Sequence, residues 1–263
     1  MDNKDSKFKK EIQNYWTKNV PGLEITSRKF KTDEKEFYID VDNFRYKYDS
    51  YVIPLIDSFT KAGSCILEIG CGLGSDSRYM AKKEANVISL DLSWQNVFFT
   101  LKGLSLLNLD GNGICADAEN LPFKDSTFDV VYSFGVLHHT PNTEKAIEDI
   151  YRVLKPNGKC TIMLYHKGYA YYLLLLLHGY KQLLGIYNKE KLMSEYDHTP
   201  LSKLYSKKEI NLLFRKFKDL NLEITTYGGI QAHPFLKFIY KLFRHNEFLL
   251  RNFGSFVIVK CRK

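Results

Sequence analysis

The chain of 263 residues is poor in cysteine. Its five thiols stand at positions 65, 71, 115, 160 and 261, with no C-x-x-C or comparable spacing, which speaks against a zinc site. Several sit in apolar, strand-like surroundings, where a free thiol behaves as a small hydrophobe. No uncharged apolar run reaches the roughly 18 residues of a membrane-crossing helix. The opening M-D-N-K-D-S-K-F-K-K is charged and lacks the apolar core of a secretory signal. Internal repeats are missing too, and the one low-complexity tract is five leucines at 173–177. These absences predict a reduced, cytoplasmic, soluble protein with no metal.

What is present is core material: 44% hydrophobic residues, with 18 Phe and 18 Tyr, enough for a large domain and an aromatic-lined pocket. The net charge of +8 is concentrated at one end, where residues 201–263 hold 13 Lys or Arg against 4 Asp or Glu. Such a basic third suits nucleic acid, an anionic membrane surface or an acidic substrate, or is simply a solvated face.

The informative stretch runs from Cys65 to Leu92. A short apolar run (Cys65, Ile66, Leu67, Ile69) has the length of a buried parallel strand. Gly70, Gly72 and Gly74 follow, then a helical segment over Asp76–Glu84, then a second apolar run, Val87–Leu90, ending in Asp91. Glycines at a strand-to-helix turn let backbone approach a ligand closely, and a carboxylate at the next strand tip accepts from ribose hydroxyls. A dinucleotide fingerprint needs its third glycine at position 75, which is Ser75. Glu68, two places before the first glycine, would repel a pyrophosphate and welcome a cation. An adenosine bearing an ammonium and a sulfonium fits this loop better than NAD.

E-I-G-C-G-L-G at 68–74, Asp91, Asp117-Ala118, F-D-V-V-Y-S-F-G-V-L-H-H at 128–139 and L-K-P-N-G-K at 154–159 occur in the order found in class I S-adenosylmethionine-dependent methyltransferases. The chain resembles the small-molecule branch of that superfamily, the methyltransferase type 11-like domains, across roughly residues 60–166. The resemblance implies an α/β, Rossmann-like, doubly wound seven-stranded sheet of order 3-2-1-4-5-7-6, its last strand antiparallel. It implies S-adenosyl-L-methionine as cofactor and S-adenosyl-L-homocysteine as product. Glu68, Gly70, Gly72, Gly74, Asp91 with Leu92, Asp117, Ala118 and Ser133 are its expected contacts. Asp117 would accept from the adenine amino group and the Ala118 amide would meet a ring nitrogen.

Along the chain, residues 1–60 read as a helical cap, 61–166 as the core, 167–205 as a helical lid after the fifth strand, and 206–263 as the completion of the sheet. A helix over 8–20 stops at Pro21-Gly22, and Ser27–Glu36 reads as a connection. From Phe44 a helix presents Phe44, Tyr48, Tyr51, Val52, Leu55, Ile56 and Phe59 on one face. Later elements are a helix from Ser93, a helix over Thr143–Leu154 capped by Thr143, a strand over Lys159–His166 and a capping box at Ser206-x-x-Glu209. A strand over Leu222–Tyr227, a basic amphipathic helix over Phe235–Arg251 and a strand over Ser255–Lys260 complete the list. The aromatic and leucine-rich segment 169–185 is too short to span a bilayer and suits a lid, a dimer face or a membrane-surface contact. A monomer and a homodimer are both compatible with it.

Methyl transfer from a sulfonium needs an acceptor held in line and deprotonated when it reacts. His139, ahead of His138, is the expected base, with Tyr46 a further catalytic candidate; Tyr15, Trp16, Arg45, Tyr165 and His166 are expected around the substrate. Ser133-Phe134-Gly135-Val136 lacks the Asn/Asp-Pro-Pro-aromatic block of exocyclic-amine methylation of nucleic acid, which makes a nucleic-acid partner unlikely. Three readings result: methylation at oxygen, nitrogen or carbon of a small aromatic or lipid-like metabolite; methylation of RNA or protein using the basic third; or a binding protein that keeps the fold without catalysis.

Overall fold

The computed structural model describes residues 3–26, 29–168, 194, 199–225 and 254–263. Strands β1 (Cys65–Ile69), β2 (Asn86–Asp91), β3 (Asn112–Cys115), β4 (Phe128–Phe134), β5 (Leu154–Tyr165), β6 (Lys218–Thr225) and β7 (Phe256–Arg262) form one sheet of order β3-β2-β1-β4-β5-β7-β6. The first five pair in parallel, and β7 runs antiparallel to both β5 and β6. This is the expected topology. The order reverses between β1 and β4, so the crevice for a ligand opens at their carboxyl ends.

Alternation along the central strands divides the core. Leu67, Ile69 and Val131 face one side, where they pack with Ile147 and Ile150 of α7 (Thr143–Val153) and Ile210 of α8 (Lys207–Leu213). Ile66, Val130 and Tyr132 face the other, against Val52, Leu55 and Ile56 of α4 (Val52–Asp57) and Met80 of α5 (Ser75–Ala81). Two further helices, α3 (Lys35–Tyr48) and α6 (Trp94–Leu106), meet in a smaller core of Phe37, Tyr38, Val41 and Phe99. Buried Arg78 joins α5 to α3, donating to both Asp42 oxygens and to the Leu73 carbonyl.

The N-terminal elements correct three expectations. The helix thought to begin at Phe44 begins at Lys35, inside the stretch read as a connection, and buries Phe37, Tyr38, Val41 and Asp42. Tyr48, assigned to its apolar face, is exposed, and the chain breaks at Asp49 before α4. The first helix, α1, spans Asn3–Lys18, and Leu23–Thr26 forms one further turn, α2. Elsewhere, Asn142 rather than Thr143 caps α7, accepting from the Lys145 amide, whereas the capping box of Ser206 and Glu209 forms as expected. The anticipated segment 169–185 and the helix Phe235–Arg251 lie outside the described residues.

Candidate active site

At the carboxyl ends of β1, β2, β3 and β4 lie two adjoining chambers sharing Pro21, Gly70, Gly72 and Phe134. The first, about 160 Å³, lies between the strand tips and α1. Gly70, Leu90, Asp91, Leu92, Asp117 and Ala118 line one side, Lys9, Ile12 and Trp16 the other. Val136, His139, Thr140 and Pro141 close its end. The second, about 240 Å³, reaches toward α3 and is lined by Arg45, Asp49, Glu68, Gly74 and Asp76 among others.

The glycine turn is built for close approach. Gly70 has φ +83°, and a Cβ there would stand 2.1 Å from Val136 Cγ2. Gly72 (φ +54°) has nothing within 4 Å of such a Cβ, because that direction is open space at a residue lining both chambers. A side chain at 72 would fill the cradle, so the bare backbone there fits a ligand lying across it.

Asp91 fixes the turn and faces the first chamber. Its oxygens accept from the Gly72 amide (3.1 Å) and the Ser93 amide (2.9 Å). Burial pushes this carboxyl above the ordinary aspartate range, although backbone and Asn96 hydrogen bonds oppose the shift. At the tip of β3, Asp117 accepts from the Glu119 amide at 2.9 Å and from Lys9 Nζ at 2.6 Å.

The second chamber is a network of side-chain charges. Asp76 accepts from Arg45 Nη2 (3.1 Å), Tyr132 (2.8 Å) and Tyr46 (3.2 Å). Arg45 also pairs with Asp49 and lies 4.5 Å over the Phe134 ring. Glu68 accepts from the Ser77 hydroxyl, and burial followed by the charge of Asp76 pushes it well above the usual carboxylate range.

The remaining candidates divide sharply. His139 lines the first chamber, 5.0 Å from the Trp16 ring, with Nδ1 2.6 Å from the Leu201 carbonyl. A carbonyl can only accept, so Nδ1 carries a proton. His138 is fully buried, stacked on Tyr165 at 3.7 Å, and neither ring nitrogen has a hydrogen bond. Burial, then the neighbouring His139, holds it well below the ordinary imidazole range. The Tyr46 hydroxyl lies 3.0 Å from the Ser75 carbonyl and 3.2 Å from Asp76. Burial and the charge of Asp76 raise it far above a phenol's range, so it keeps its proton. Ser133 is turned into the sheet, donating to the Ile69 carbonyl at 3.1 Å. Tyr15 packs edge-on against Trp16, Tyr165 packs against His138 and Phe256, and His166 is buried with Nδ1 2.9 Å from the Gly254 carbonyl. Neither Tyr15, Tyr165 nor His166 lines either chamber, whereas Trp16 lines the first and Arg45 the second.

Lys9, Gln13 and Asn96 were missed by motif reading. Yet Lys9, Gln13, Trp16 and Thr17 recur at helical intervals on α1 and all face the strand tips, a stripe the sequence displays. Among the described residues no cluster of His, Cys, Asp or Glu could hold a metal, and no helix is long and apolar enough to cross a membrane.

Strand order, a glycine turn with an acidic second strand tip, and a cavity above them define the class I methyltransferase fold. Residues 67–162 match the family model described as a methyltransferase domain. The chain is 36% identical over 112 residues to phosphoethanolamine N-methyltransferase 2 of Caenorhabditis elegans, covering 42% of this chain and 26% of that one. It is 38% identical over 106 residues to cycloartenol-C-24-methyltransferase 1 of Oryza sativa subsp. japonica, covering 38% of this chain and 30% of the relative. The chain thus spans less than a third of either. In fold it is similar to phosphoethanolamine N-methyltransferase 2 of Haemonchus contortus, solved with S-adenosyl-L-methionine, at a TM-score of 0.58 and 20% identity over 80% of this chain and 51% of the other.

Proposed function

We propose that this protein transfers a methyl group from S-adenosyl-L-methionine to a small acceptor at the His139 end of the first chamber. The observation that carries the reading is Gly72, whose missing side chain leaves open the space both chambers share, flanked by Asp91 and Asp117. When bound, S-adenosyl-L-methionine supplies an activated methyl group on a sulfonium. Asp91 would accept from the ribose, Asp117 from the adenine amino group, and the Ala118 amide would meet a ring nitrogen. Arg45, in the second chamber, faces the amino-acid end. His139 Nε2 takes the acceptor's proton, while the Leu201 carbonyl holds Nδ1–H and so the tautomer.

The two curated relatives are named for acceptors as different as phosphoethanolamine and a sterol. Since both resemble this chain mainly over the core, the acceptor is chosen outside it. The aromatic surroundings of the first chamber, Trp16 and Phe134, favour an aromatic or lipid-like molecule. Methylation of RNA through the basic third is the lesser reading. Among the described residues Arg215, Lys216 and Lys260 are each paired with a glutamate, at 3.0, 2.9 and 2.7 Å, which is how a solvated face behaves. The test is incubation of purified protein and isotopically labelled methyl donor with metabolite and RNA extracts. Label in a small molecule is expected. Label in RNA alone, or none despite cofactor binding, would overturn the reading.

A further inference from the structure

The first chamber is roofed by α1, and that roof is fastened by polar contacts at each turn. Lys9 Nζ lies 2.6 Å from Asp117 Oδ2 and 2.5 Å from Glu119 Oε2. One turn on, Gln13 Nε2 donates to the Leu92 carbonyl at 2.7 Å, and Thr17 Oγ1 donates to Ser93 Oγ at 2.9 Å. Between them Ile12 and Trp16 face the cavity. The Lys9 contact has the greatest leverage, because its partners are themselves anchored. Glu119 Oε1 accepts from the Asn142 amide at 2.7 Å, and the Glu119 amide donates to Asp117 Oδ1. One ammonium therefore closes a loop joining α1, the tip of β3 and the N-terminus of α7.

The pair is sheltered: the Lys9 side chain is 14% exposed, that of Asp117 27% and that of Glu119 4%. Charged hydrogen bonds in such a place count for more than surface ion pairs. Burial alone would draw the Lys9 ammonium down, but hydrogen bonds to both carboxylates and their charges outweigh it, so the net direction is upward. Asp117 Oδ2 has two lone pairs and Lys9 takes one, leaving the carboxylate aimed along the chamber wall with capacity for another donor.

We propose that Lys9 is a positioning residue for the cofactor: by gripping Asp117 and Glu119 together it orients Asp117 to read the purine amino group and latches α1 over the bound nucleoside. The inference rests on the cofactor reading above and goes beyond it, because a residue outside every motif sets how long the cofactor stays and how well its purine is discriminated. The contact that fastens it spans 108 positions of sequence.

The experiment compares wild type, Lys9→Met and Lys9→Arg in the full chain. Binding of S-adenosyl-L-homocysteine and of its analogue with a 6-oxo group in place of the 6-amino group is followed by calorimetry and stopped flow. Lys9→Met keeps the aliphatic stem and is expected to weaken S-adenosyl-L-homocysteine binding roughly tenfold through faster dissociation, as loss of a charged hydrogen bond implies. Its preference for the amino-bearing purine should shrink. In turnover, KM for the methyl donor should rise with little change in kcat. Lys9→Arg should restore most of the affinity and the preference. Equal binding by wild type and Lys9→Met would overturn the latch alone, as would a proportionate weakening for both purines with no rescue by arginine. A wild-type protein that bound neither ligand would overturn the cofactor reading, and the latch with it.

Discussion

The two chambers share four residues yet are built on opposite plans. In the first, Asp91 is held by the Gly72 and Ser93 amides and Asp117 by the Glu119 amide and the single ammonium of Lys9, and both keep lone pairs for a ligand. In the second, the charges are consumed by one another: Asp76 receives Arg45 and two phenols, and Glu68 is tied to Ser77. Anchoring through amides leaves a carboxylate acting as a fixed, unsaturated acceptor, the condition for binding a neutral hydroxyl or amine. Anchoring by a guanidinium and two phenols at once, as at Asp76, makes a rigid wall. The first chamber thus governs affinity, and the second holds α3 and α5 in the places that shape it.

The largest effect that would sharpen this contrast is loss of Asp76, which lies on the second plan. Asp76→Ala leaves a guanidinium and two phenols facing a buried gap. Breaking a buried pair costs about 3–5 kcal/mol, and because Arg45 keeps Asp49 the low end is expected. The denaturation midpoint should fall accordingly. A variant as stable as wild type that had nonetheless lost cofactor affinity would exchange the roles of the two chambers.

A smaller change is expected at the shared wall. Gly70→Ala places a methyl 2.1 Å from Val136 Cγ2 at φ +83°, where an L-residue already bears about 1–2 kcal/mol of strain. The turn has to move away from Val136, and Val136 adjoins the His138–His139 turn. Affinity for S-adenosyl-L-homocysteine should drop at least tenfold, with less loss of stability than Asp76→Ala shows. Calorimetry beside a melting curve separates the two.

What the sequence made legible follows the same division. The glycine turn, Asp91 and the β4 strand depend on local order, and β4 coincides with the F-D-V-V-Y-S-F that opens the 128–139 motif. Strand order came through the family resemblance, since periodicity says nothing of which strand neighbours which. The second chamber was hidden because its logic is pairwise over long separations. A helix whose buried face includes Asp42 violates the apolar-stripe rule until Arg78 is known to lie opposite, 36 residues on. For the same reason the contacts of Tyr46, a catalytic candidate in the sequence, with the Ser75 carbonyl and Asp76 could not be foreseen. Lys9 looked like one more surface lysine, because its partners are a β3 tip that only the fold brings near.

The smallest effect tests Asp91 through pH. Burial raises this carboxyl above the ordinary aspartate range, so on acidification it takes up its proton earlier than an exposed aspartate does. Ribose hydroxyls donate to the ionised form, and protonation removes an acceptor lone pair. Affinity for S-adenosyl-L-homocysteine should therefore hold on the alkaline side of that raised value and decline as pH falls through it. Folding has the opposite sign: a raised carboxyl favours the native state when protonated, so this group's contribution to stability grows over the same acid interval. Asp91→Asn keeps the shape, and loss of the charged acceptor should weaken binding by about 1–3 kcal/mol at neutral pH. It should also flatten the acid decline, because the titrating group is gone. A decline that persisted unchanged in Asp91→Asn would assign the proton to another group of the first chamber and leave Asp91 as a brace for the Gly72 turn.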